Sequence, residues 1–113
     1  MSLDLKVRRL LFKMGVPVHL KGFEYLVECT KEAVEKGVDI SFCREYKKIG
    51  STHNAHWKAV ERAARYAIAK STERCPDELV LSVLMGNKKP SISGYVSSVA
   101  EYCKIGGEHD KES

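Results

Sequence analysis

Residues 46–68 read YKKIGSTHNAHWKAVERAARYAI, and the reading of this stretch decides the fold. Trp57, Val60, Ala63, Ala64, Ala67 and Ile68 recur at the three- and four-residue steps that gather side chains on one stripe of a helix. That stripe faces a core. At about 100° per residue, Lys58, Arg62 and Arg65 fall together on the opposite side with Glu61 at their flank, a compact cationic strip that suits a nucleic-acid groove. Before it, Ile49 anchors a first short helix, Gly50 allows a close helix approach, and Asn54 suits the turn. Ile49 and Val60 have the spacing of the buried positions of a helix-turn-helix.

Upstream, Ser2 caps a first helix whose stripe is Leu3, Val7, Leu10, Leu11 and Met14, with Gly15 and Pro17 as its stop. A turn-rich connector leads to a second helix over about residues 23–36, ended by Gly37, with Gly22 freeing its entry. Residues 38–46 read as a short helical piece that Ser41 can cap. Downstream, Ser71 to Arg74 reads as a polar linker, and Pro76-Asp77-Glu78 as a helix start that places acids at the positive dipole end. Gly86 ends that helix, Asn87-Lys88-Lys89-Pro90 forms a basic loop, and Ser91 or Ser93 caps a last helix that Gly106-Gly107 stops. No alternation of strand type persists. The expected architecture is all-α, a compact bundle of about six helices containing a helix-turn-helix. Residues 1–107 form that domain, and residues 108–113 an acidic, disordered tail.

At 113 residues, with 43% hydrophobic and 30% charged residues, the chain has room for one soluble folded core. Net charge is +4, and the acids of the tail leave the folded part more basic than that total. The 4 cysteines, Cys29, Cys43, Cys75 and Cys103, have no C-x-x-C spacing, which points to reduced thiols and a cytoplasmic protein. Cys29, Cys43 and Cys103 fall among apolar helical positions, as small hydrophobes. No apolar run approaches the ~20 residues of a membrane span. A glycine-rich phosphate loop, a nucleophile signature and a paired-carboxylate face are all missing, so the expectation is no enzyme and no cofactor. His53 and His56 invite a metal, yet acids and cysteines at ligand spacing are missing, so no metal is expected.

Three stretches together resemble the C-terminal effector domain of the stage-zero sporulation protein A family, a sporulation response regulator. They are Gly15-Val16-Pro17-Val18-His19-Leu20-Lys21-Gly22-Phe23-Glu24-Tyr25-Leu26, Val60-Glu61-Arg62-Ala63-Ala64-Arg65-Tyr66-Ala67-Ile68, and Lys89-Pro90-Ser91 followed by Tyr95. The resemblance runs from about residue 10 to residue 105. It implies a transcription regulator that binds short promoter elements in double-stranded DNA, as a homodimer or as tandem copies, with RNA polymerase a further partner. By position it implies that Lys58, Glu61, Arg62 and Arg65 face the major groove, where arginine can donate twice to a guanine edge and glutamate can accept from cytosine.

This chain departs from that pattern in having Gly50 where alanine is usual, in the run Ala55-His56-Trp57-Lys58, and in Ala59 in place of an arginine. The target site therefore need not be the family's. The family's phosphoacceptor receiver domain is not in this sequence.

Each of these residues also has a plainer reading. Arg62 and Arg65 can form a solvated face paired with Glu61, and Lys58 can hold a phosphate rather than a base. Lys88 and Lys89 read as a clamp on the DNA backbone, His56 as a groove residue, and Trp57 as a core or turn residue that could instead stack on a base. The alternative to DNA binding is a helical protein-interaction module using the surface that bears Trp57.

Overall fold

The computed structural model describes residues 2–37 and 40–112, and side chains as far as Ile105. Six helices follow one another: α1 (Leu3–Lys13), α2 (Lys21–Lys36), α3 (Phe42–His53), α4 (Trp57–Arg74), α5 (Asp77–Leu84) and α6 (Ile92–Glu112). Among the described residues there is no strand, and the bundle is all-α as the sequence indicates. Among them, too, no helix is long and apolar enough to cross a membrane.

The helix starts follow from capping chemistry. The Ser2 hydroxyl accepts the Leu5 N–H at 3.2 Å, Ser41 accepts that of Arg44 at 3.4 Å, and Ser91 that of Gly94 at 3.1 Å. Gly15, Gly37 and Gly86 hold positive φ at or just beyond the ends of α1, α2 and α5.

Helix α2 is the spine, packing on α1, α3, α4 and α6, while α5 packs on α6. Its contact with α4 is unusually close. Gly22 is buried within α2, and a Cβ there would collide with the Ala63 carbonyl oxygen and come within 2.8 Å of the Ala67 Cβ. Gly22 thus lies inside the helix, and it is required for close approach rather than for freedom at the entry. Arg8 fastens α1 to α2 with two hydrogen bonds to Glu24 at 2.6 and 2.8 Å, and its Nε holds Asp4 at 2.7 Å.

Four further expectations are corrected. Residues 42–53 form one helix, because Phe42, Tyr46 and Ile49 share a single face against the core. That register leaves Cys43 exposed, whereas Cys29 and Cys103 are buried as expected. Residues 71–74 are no linker: they are the last turn of α4, and Ser71 is fully buried with its hydroxyl satisfied. Helix α6 also runs through Gly106 and Gly107, which cost a helix about 1 kcal/mol each but do not by themselves end it. Val38 and the side chains of the acidic tail lie outside the described residues.

Candidate nucleic-acid interface

The helix-turn-helix is built from α3, a left-handed turn and α4. Asn54 adopts φ 54° and ψ 48°, a conformation that asparagine tolerates better than most residues. The chain then folds back so tightly that the Ala55 N–H reaches the Gly50 carbonyl at 2.7 Å. A Cβ on Gly50 would run into the Ala55 carbonyl. Ile49 and Val60 are both buried, at 2% and 0% exposure, so the expected pair of anchors lies in the core.

His56 forms the N-cap of α4. Its Nδ1 accepts the Lys58 backbone N–H at 3.1 Å, and its ring stacks on Trp57 with centroids 5.8 Å apart. Lys58 reaches back over the same indole, with Nζ 5.7 Å from the ring centroid. At the end of α3, His53 meets Glu28 of α2 at 2.7 Å and packs in a T-shaped pair with Tyr25. The two histidines are thus each engaged in fixing the turn. Among the described residues, no group of three or more potential metal ligands exists.

Along α4, the inner stripe of Val60, Ala64, Ala67, Ile68 and Ser71 is buried, and Lys58, Arg62 and Arg65 stand exposed. Arg65 Nη2 donates to Glu61 Oε1 at 2.8 Å, one helical turn earlier. Arg62 and Lys58 project free of that pair.

One flank of α4 opens into a groove of about 750 Å³. Phe42, Tyr46, Trp57 and Ile68 provide apolar walls, Glu61 and Arg65 line it from α4, and Lys88 and Lys89 line it from the loop before α6. Burial pushes the Tyr46 phenol up to about 12, with the neighbouring Cys29 and Glu61 adding to the rise, so this residue stays a neutral wall of the groove. The 88–89 loop is held in shape by Asn87, whose side-chain oxygen accepts the Lys89 N–H at 3.0 Å.

The structure therefore gathers Glu61, Arg65, Lys88 and Lys89 around one groove, with Arg62 and Lys58 on the adjoining outer face and His56 at the helix end. Trp57 is half-buried against the core and also lines the groove, in keeping with a packing role. Tyr66 was not among the residues singled out from the sequence. It is 53% exposed, one turn beyond Arg62, with Lys70 Nζ 5.5 Å from its ring centroid. Its position one turn after an exposed arginine was the signal that could have found it.

A family model described as Sporulation initiation factor Spo0A C terminal matches residues 7–103.

Proposed function

Since the chain belongs to the Spo0A C-terminal family, the DNA-binding effector domain of a sporulation regulator, we propose that it binds duplex DNA sequence-specifically with α4 in the major groove. In this reading, Arg62 and Arg65 read base edges, Glu61 orients Arg65 or accepts from a cytosine, and Lys58, Lys88 and Lys89 grip phosphates. The observation that supports it most is that α4 exposes Lys58, Arg62 and Arg65 while Lys88 and Lys89 line the same groove as Arg65. A helix and a basic loop so placed can hold a base edge and the adjoining backbone at once. The protein acts in the cytoplasm as a transcription regulator, with RNA polymerase and a second copy of the domain on DNA as its further partners.

The test is a fluorescence titration with a duplex selected from a random pool, and with a random duplex, at two salt concentrations. Specific binding predicts a preference for the selected duplex of about a thousandfold or more. Three lysine contacts predict a log–log salt slope near about −3. If neither duplex binds at low salt, the apolar groove beside Trp57 is left as a protein-docking surface and the DNA reading fails.

A further inference from the structure

The cap of the proposed recognition helix is an imidazole, and that choice has chemical consequences. N-caps are ordinarily Ser, Thr, Asn or Asp, whose oxygens keep a lone pair available through the neutral and mildly acidic range. A ring nitrogen does not. For Nδ1 of His56 to accept the Lys58 N–H, Nδ1 must carry no hydrogen, so the capped ring is the neutral tautomer with its proton on Nε2. Protonation would set a new N–H against the Lys58 N–H and place a positive charge at the positive end of the helix dipole. Both effects oppose the cap.

We propose that His56 is a positioning residue that ties the first turn of α4, and with it Lys58, to a neutral imidazole, so that acidification weakens specific DNA binding. The proposal rests on the DNA-binding reading above. Acid turns the accepting Nδ1 into a donor, so acidification acts against the cap. A His56 that gripped a phosphate would give the opposite sign, because the phosphate favours the imidazolium. The titratable groups next along the chain at this end of α4 are His53 of α3, paired with Glu28 of α2 at 2.7 Å, and Lys58 and Glu61 of α4 itself. His53 lies against a carboxylate, so the wild-type profile alone is composite.

Comparison with His56→Asn isolates the cap, because asparagine caps without titrating. Affinity for the selected duplex is measured for both proteins at about pH 8 and about pH 5.5, at constant ionic strength. The ratio of wild-type to variant Kd is expected to rise about threefold to tenfold on acidification, the factor corresponding to one N-cap. A ratio that stays constant overturns the proposal, and one that falls marks a phosphate contact instead. If neither protein binds DNA at either pH, it is the DNA reading that has failed. The denaturation midpoints of the same pair then decide the cap: a gap that opens on acidification upholds its dependence on neutral imidazole, and an unchanged gap overturns it.

Discussion

The hydroxyls of Ser71 and Tyr95 lie 2.7 Å apart in the core, where α4 crosses α6, and Ser71 also donates to the Met14 carbonyl at 2.8 Å. Since Ser71 spends its proton on Met14, Tyr95 is the donor to Ser71. Both side chains are fully buried, and burial pushes the Tyr95 phenol well above its ordinary range, so it remains a neutral donor. Ser71→Ala leaves the Met14 carbonyl without a partner and the Tyr95 hydroxyl with only the Met14 sulfur at 4.0 Å, and is expected to cost about 1–3 kcal/mol. Tyr95→Phe strands no buried group, because Ser71 keeps its bond to Met14, and should cost only about 1 kcal/mol. Urea denaturation of the two variants checks the ranking, and equal losses would remove the argument from stranded partners.

The same pair shows what can be read along a chain. Ser71 looks like surface because its local pattern is polar, and its partners stand 57 and 24 residues away. Asn54 is legible at once, because few side chains tolerate φ near 54° and asparagine is among them. The exposed face of α4 is legible from periodicity, because Val60, Ala64 and Ala67 fix which side is buried. The groove is not. Lys88 and Lys89 share a groove with Arg65 only through the packing of α6 on α4, and no local pattern encodes that placement. Cys43 was misjudged for a related reason: its apolar character fits a buried stripe, but Phe42, Tyr46 and Ile49 set a register that excludes it.

Gly50→Ala sets two effects of opposite sign against each other. Alanine is the better helix former by about 1 kcal/mol. Its methyl, however, would meet the Ala55 carbonyl, which is backbone and cannot rotate aside. Overpacking of this kind costs about 1–3 kcal/mol, so the variant is expected to be less stable despite its propensity gain. Because the displaced peptide leads directly into His56 and α4, DNA affinity should fall with stability. A variant more stable than the wild type would show that the turn can open without cost.

Glu45→Gln should stabilise the fold at neutral pH. Burial of Glu45 between α3 and α2, together with its hydrogen bond to Glu32, raises the pKa of its carboxyl group. A raised folded-state value means that the contribution of Glu45 is fully present below the ordinary carboxylate range and is lost as pH rises through the raised one. Glutamine keeps a neutral side chain at every pH. The variant's advantage should therefore be present near neutrality and shrink in acid, which denaturation midpoints at about pH 7 and about pH 4 would register. An advantage of the same size at both values would mean that the charge on Glu45 is not what strains this contact.

Arg62 and Lys89 occupy different parts of the interface and should fail differently when removed. Arg62 is exposed on the outer face of α4 and free of the Glu61 pair that holds Arg65, so its fork is available to a base edge. Arg62→Ala is expected to cost about 1–3 kcal/mol on the selected duplex and to relax one position of the site, with little change on random DNA. Lys89 lies outside α4, on the loop that lines the same groove as Arg65, and lysine most often serves as a phosphate contact. Lys89→Ala should weaken selected and random duplexes alike and reduce the magnitude of the salt slope by about 1. Titrations of both variants on both duplexes make the comparison. If Arg62→Ala weakens the two duplexes equally, the arginine is a phosphate contact, and the reading of sequence must fall to Arg65 and its Glu61 partner.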